Sequence, residues 1–288
     1  MRPENLKTKI FLDGGDPKET KEIIKLLGFL DGQTTNPTLV SKNSKAKERF
    51  EKGDKFTEKQ IFDFYKSIVG EFSALIPDGS VSIEVYADNS TSADEMFEQG
   101  KDMFSWIPNA HIKYPITKAG LEAVEKSVKE GMRVNTTLCF TQEQAAAVYS
   151  ATKGAKKGDV FVSPFVGRLD DREENGMGLI SNIIKMYKDS DGHSEVLTAS
   201  VRNIDHFLYA LKLGSDIITA PYEILKQWGE GGMRIPDETW IYPAAGGLNT
   251  IAYKELDLKK DWREFDIKHE LTDKGIERFA SDWNKLIK

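Results

Sequence analysis

Apolar positions along the chain fall into short dense runs separated by longer stretches with helical spacing. The runs occupy residues 8–13, 29–30, 80–86, 110–114, 133–140, 159–163, 195–199 and 217–219 and read as strands. Between them, apolar residues recur three and four apart over 17–27, 60–75, 91–106, 117–130, 142–152, 177–188, 204–213 and 222–228. Pro17 opens the first of these helices and Gly28 can cap its end. Residues 41–59 are charged and read as a loop, too short for a domain linker. Strict strand–helix alternation calls for a parallel sheet with right-handed crossovers. Eight such units close into an α/β fold, a (β/α)8 TIM barrel with an extra C-terminal helix. A doubly wound open sheet competes, but the Gly-rich first turn it usually carries is absent. The expectation is one domain over 1–288, with the barrel core at about 8–229 and an extension over 230–288. In the extension, Ile276, Phe279 and Trp283 stripe a helix near 273–287, expected across the outside of the barrel or over its mouth.

Composition narrows the function. A length of 288 residues with 39% hydrophobic content suits a large soluble domain. The net charge is -6 and the lysines are dispersed among acids, which argues against nucleic acid or an anionic membrane as partner. One cysteine, Cys139, rules out an intrachain disulfide and fits a reducing compartment. No apolar run approaches membrane-spanning length and the amino terminus shows no apolar signal core, so a cytoplasmic location is expected. Oligomeric state is left open, a homo-oligomer included.

The polar residues at strand ends change the picture most. In 110–115, alternation puts Ala110, Ile112 and Tyr114 on one face and His111 and Lys113 on the other. In a sheet covered on both faces that lysine is costly: bringing an amine from ~10.4 to near ~7 takes about 5 kcal/mol. Lys113 is therefore a candidate amine nucleophile, the alternative being a strand-end lysine that snorkels to water. Other strands end in Asp13, Asn36, Glu84, Asn135 with Thr137, Ser163 leading to Phe165 and Arg168, and Ser200 with Arg202. Each has a plain alternative: a turn or cap for Asp13 and Asn36, an ion pair for Glu84, β-propensity for Thr137, a solvated loop for Arg168. Their convergence at the C-terminal ends of barrel strands favours one site. A buried carboxylate beside an amine suits proton transfer around an iminium, and two serines with two arginines suit a phosphate dianion. The four histidines have no metal-ligand spacing, and no metal site is expected. His111 and Cys139 read as packed groups.

With these residues assembled, the sequence resembles the transaldolase family of class I, Schiff-base-forming aldolases. The resemblance rests on Phe11-Leu12-Asp13, Thr34-Thr35-Asn36-Pro37, Ile83-Glu84-Val85, Ile112-Lys113-Tyr114-Pro115, Asn135-Thr136-Thr137, Ser163-Pro164-Phe165-Val166-Gly167-Arg168 and Ala199-Ser200-Val201-Arg202. It implies a transferase that moves a dihydroxyacetone unit from a ketose phosphate to an aldose phosphate, as in the pentose phosphate pathway, without metal or organic cofactor. Lys113 would form the Schiff base, Asp13 would take the C4 hydroxyl proton, and Glu84 with Thr137 would hold a proton-relaying water. Asn36, Asn135 and Ser163 would hold substrate hydroxyls, and Arg168, Ser200 and Arg202 the phosphate. Fructose 6-phosphate aldolases resemble transaldolases but usually carry Gln at the Glu84 position and Tyr at the Phe165 position. Aldolase-type cleavage and a catalytically silent sugar-phosphate-binding barrel are the alternatives. Tyr114 and the segment around 240–262 depart from the family pattern.

Overall fold

The computed structural model describes residues 2–244 and 246–288; Met1 and Ala245 lie outside the described residues. Eight strands, β1 (Lys9–Asp13), β2 (Gly32–Thr34), β3 (Ser80–Glu84), β4 (Ala110–Pro115), β5 (Val134–Cys139), β6 (Val160–Pro164), β7 (Ser194–Thr198) and β8 (Ile217–Ala220), pair in parallel and in sequence order. β1 closes the barrel against β8, with Lys9 to Leu12 in register with Ile217 to Ala220. The helices are α1 (Pro17–Leu27), α2 (Pro37–Ser41), α3 (Ser44–Glu51), α4 (Glu58–Leu75), α5 (Ala93–Phe104), α6 (Lys118–Lys129), α7 (Gln142–Ala151), α8 (Val166–Asp170), α9 (Gly176–Tyr187), α10 (Ile204–Leu213), α11 (Tyr222–Glu230) and α12 (Glu270–Asn284).

Side chains set the helix starts. Asp16, Asn36, Asn43, Thr117, Thr141 and Asn203 each accept a backbone N–H of the first turn of α1, α2, α3, α6, α7 and α10. Thr57 and Ser92 complete reciprocal capping boxes on α4 and α5. The helices cover the apolar outward face of the strands. Tyr114 belongs to that face: its hydroxyl lies 2.9 Å from Ser127 Oγ of α6, and its ring end overlies Gly100 of α5. Its ring is thus held between helices, on the side of β4 opposite Lys113.

Inside the barrel, the N-terminal end is plugged by aromatic rings from β1, β4 and β6. His111 stacks on Phe161 at 4.1 Å, and Phe161 meets Phe11 edge-on. Burial pushes His111 down to about 3, so the ring is neutral and packed, bonded to Ser80 Oγ and the Gly158 carbonyl. Above the plug the inward positions are polar.

Three expectations need correction. The second strand is Gly32–Thr34, not 29–30. Its buried residues are polar, Thr34 facing the barrel interior and Gln33 facing Thr20 of α1, and Phe29 instead packs edge-on against Trp228 outside the barrel. The charged stretch 41–59 is not a loop: it holds the end of α2, all of α3 and the start of α4. Asn43 fixes α3 by capping it and donating 2.7 Å to the Gly15 carbonyl, a tertiary contact that periodicity cannot show. A short helix, α8, follows β6 before α9.

The extension runs back along the outside of the barrel. Gln142 of α7 exchanges hydrogen bonds with the Lys254 backbone, Ser150 Oγ donates to the Lys260 carbonyl, and Asn182 of α9 donates to the Ile251 carbonyl. Trp262 Nε1 reaches Glu125 of α6 at 3.2 Å. The segment then delivers α12 to the barrel mouth. There Thr38 Oγ1 donates 2.6 Å to Asp282, Thr272 Oγ1 donates 2.9 Å to the Leu138 carbonyl, and the Lys288 N–H donates to the Phe56 carbonyl. Of the two placements expected for this helix, the mouth is the one observed.

Candidate active site

At the C-terminal ends of the strands lies a cavity of about 320 Å³. Asp13, Asn36, Lys113, Ser163, Phe165, Arg168, Ser200 and Arg202 all line it. Eight of the expected site residues are thus brought to one wall-to-wall space, from β1, β4 and β6 and from the loops after β2, β6 and β7.

Lys113 is the buried centre, with 4% of its surface exposed. It pairs in register with Glu84 of β3, and its Nζ lies 3.0 Å from Glu84 Oε2 and 3.4 Å from the Thr35 carbonyl. The contact with Oε2 is a close, buried charge pair. Among the described residues, the buried Thr137 Oγ1 and Thr35 Oγ1 have no hydrogen-bond partner. Burial raises the Glu84 carboxyl above the ordinary range; the Lys113 charge opposes this and the Asp13 charge adds to it. Asp13 is raised for the same first reason, opposed by Lys113, by the Thr34 hydroxyl that donates 2.7 Å to its Oδ1, and by Lys42. Two carboxyls with elevated proton affinity therefore flank one amine.

Glu84, Asn135 and Thr137 are buried behind the cavity wall and do not line it. Asn135 is tied to it through Ser163, whose Oγ donates 2.7 Å to Asn135 Oδ1, while Asn135 Nδ2 donates 3.0 Å to Ser82 Oγ. Asn36 spends Oδ1 on capping α2, where it accepts from the Leu39 N–H at 3.0 Å. The plain alternative for Asn36, a local structural role, is realised alongside its place in the cavity.

The other end of the cavity is cationic. Arg168 of α8 and Arg202 of the loop after β7 approach it together, with Arg202 paired to Asp171 at 2.7 Å. Burial lowers the Arg168 guanidinium below its usual range, and the charges of Arg278 and Arg202 lower it further. Gly167 is required here: a Cβ would stand 2.3 Å from Arg202 Cγ and 2.6 Å from the Ser200 carbonyl. Ser200 holds a left-handed φ of 57°, an uncommon conformation for a residue with a side chain, and its carbonyl accepts the Gly167 N–H.

Two cations on the wall went unread in the sequence, Lys42 and Arg278. Lys42 sits in the stretch taken for a loop. Arg278 neighbours Phe279, the stripe residue of the last helix, and only the docking of that helix brings it to the mouth. Among the described residues no cluster of three or more His, Cys, Asp or Glu side chains has metal-holding geometry, and no helix is long and apolar enough to cross a membrane.

The family model described as Transaldolase/Fructose-6-phosphate aldolase matches residues 10–288. The chain belongs to this family. A protein named probable transaldolase from Dehalococcoides mccartyi is 36% identical over 280 residues, covering 97% of this chain and 100% of its own. Proteins of the same name from Anaeromyxobacter dehalogenans and Thermoanaerobacter sp. are 32% and 34% identical, over 97% and 96% of this chain and 98% and 97% of theirs. Membership in the transaldolase/fructose-6-phosphate aldolase family accords with the closed eight-strand barrel and with an enzyme of the transferase type.

Proposed function

We propose that the protein is a transaldolase that transfers a dihydroxyacetone unit from a ketose phosphate to an aldose phosphate through a Schiff base on Lys113. The observation that carries this is a buried amine 3.0 Å from a carboxyl of raised proton affinity, in a cavity with a second such carboxyl and guanidiniums on its wall. Lys113 gives its ammonium proton to Glu84, and the neutral amine adds to the C2 carbonyl of the ketose. Loss of water from the carbinolamine leaves the iminium, with Glu84 returning the proton to the departing oxygen. Asp13 takes the C4 hydroxyl proton, the C3–C4 bond breaks, and its electron pair flows into the iminium to give the enamine. The aldehyde product leaves. The enamine attacks the carbonyl of the acceptor aldose phosphate, Asp13 returns the proton to the new hydroxyl, and water hydrolyses the imine. The Thr137 hydroxyl, without a partner among the described residues, and the Glu84 carboxyl support a water held near the imine, and Ser163 and Asn36 offer polar contacts to hydroxyls. Phe165 presents a ring without a hydroxyl, which favours transfer over simple aldol cleavage.

Borohydride reduction in the presence of fructose 6-phosphate traps the imine as a stable secondary amine. The mass increase is expected on the peptide containing Lys113 and is lost in Lys113→Ala; an unmodified Lys113 peptide in the wild type would sink the proposal. Turnover that depends on an added aldose phosphate separates transfer from cleavage.

A further inference from the structure

The cationic end of the cavity contains one more arginine than the two late-strand loops supply. Arg278, from α12, lines the same space as Arg168 and Arg202. Its nearest acid, Asp282, is 3.9 Å away and is already engaged by the Thr38 hydroxyl at 2.6 Å and the Lys285 ammonium at 3.2 Å. The Arg278 side chain is 58% exposed, so its guanidinium remains available. Lys42, Arg168 and Arg202 line the same space, with Asp171 set against Arg202, and a phosphate monoester carries close to two negative charges at neutral pH. Arg278 adds a further cation to this wall, and its charge acts directly on the Arg168 guanidinium. Three guanidiniums facing one space repel each other, and a bound dianion would relieve that repulsion.

We infer that Arg278 is a third phosphate ligand and a specificity-determining residue, so that selection of phosphorylated over free sugars depends on the docked C-terminal helix. This rests on reading the guanidinium end as a phosphate site. Because Arg278 is carried by α12 and not by a barrel loop, helix docking and anion binding reinforce each other.

The test is inorganic phosphate binding to the full chain by titration calorimetry, compared across wild type, Arg278→Gln, Arg278→Lys and Lys274→Gln. Lys274 lies on the same helix, pairs with Glu270 and does not line the cavity. A charge-assisted contact predicts that Arg278→Gln weakens phosphate binding by about tenfold or more. Arg278→Lys should recover part of the affinity as a point charge without the fork, and Lys274→Gln should bind as wild type. Borohydride trapping with unphosphorylated dihydroxyacetone should proceed in Arg278→Gln at the wild-type rate. Wild-type phosphate affinity in Arg278→Gln, or an equal loss in Lys274→Gln, overturns the inference. The calorimetric arm requires no turnover, so it fails or succeeds independently of the Lys113 adduct.

Discussion

Asp13 shows how a single side chain sets function against stability. Its carboxyl is raised by burial, so the folded chain holds that proton more tightly than the unfolded chain does. The sign follows: stability is fullest below the unfolded value near 3.8, falls as pH climbs toward the raised folded value, and stays reduced above it. An amide cannot ionise and escapes the penalty. Asp13→Asn is therefore expected to melt at a higher temperature than wild type at neutral pH, with the gap closing below about pH 4. Turnover should drop by about 10²- to 10⁴-fold with loss of the base. Thermal melts across pH and steady-state rates check both, and a melting difference that is the same at every pH would refute the account. Lys113, Asp13 and Glu84 were legible in the sequence because each is a charged group at the end of an apolar strand, where burial is expensive. Arg278 and Lys42 were not, since a charge on a helix or in a charged stretch costs nothing to solvate and so carries no signal.

At the scale of elements, the site depends on how α12 meets the barrel. Gly275 lets the helix approach Leu138 of β5: a Cβ there would stand 2.5 Å from Leu138 Cδ2. Leu138 itself holds a left-handed φ of 60° directly after Thr137, and its carbonyl accepts the Thr272 hydroxyl. Gly275→Val should push the helix outward, lower stability by about 1–3 kcal/mol and weaken phosphate binding while leaving Lys113 in place. Denaturant melts and phosphate titration measure these, and unchanged affinity with lowered stability would separate helix position from anion binding. Strand and helix identities were readable where an apolar stripe faced a single partner. They failed at β2, whose buried residues are polar, and at α2, α3 and α8, which are short and fixed by caps and tertiary bonds.

The whole chain is acidic, with a net charge of -6, yet its cavity mouth carries Lys42, Arg168, Arg202 and Arg278 against Asp13. Such segregation focuses field at the mouth and steers anions into it. KM for a sugar phosphate is expected to rise severalfold between about 0.05 M and 0.5 M salt, as the screening length contracts to a few ångströms. Turnover of free dihydroxyacetone should change little; equal salt sensitivity for both substrates would contradict steering. Barrel closure was legible because eight alternating units leave few topologies. The outer path of the extension was not, because it is held by side chains bonding to its backbone carbonyls, a pattern that any sequence can offer.

The contacts joining Thr38 to Asp282 and Phe56 to Lys288 bring opposite regions of the sequence together at one rim. During synthesis, Asp13, Glu84 and Lys113 leave the ribosome well ahead of Arg278. At about 5–20 residues per second, the intervening chain takes on the order of ten to thirty seconds to make. A nascent barrel would thus hold the Lys113–Glu84 pair before it holds the helix that completes its mouth, and the finished mouth becomes the last feature the growing polypeptide acquires.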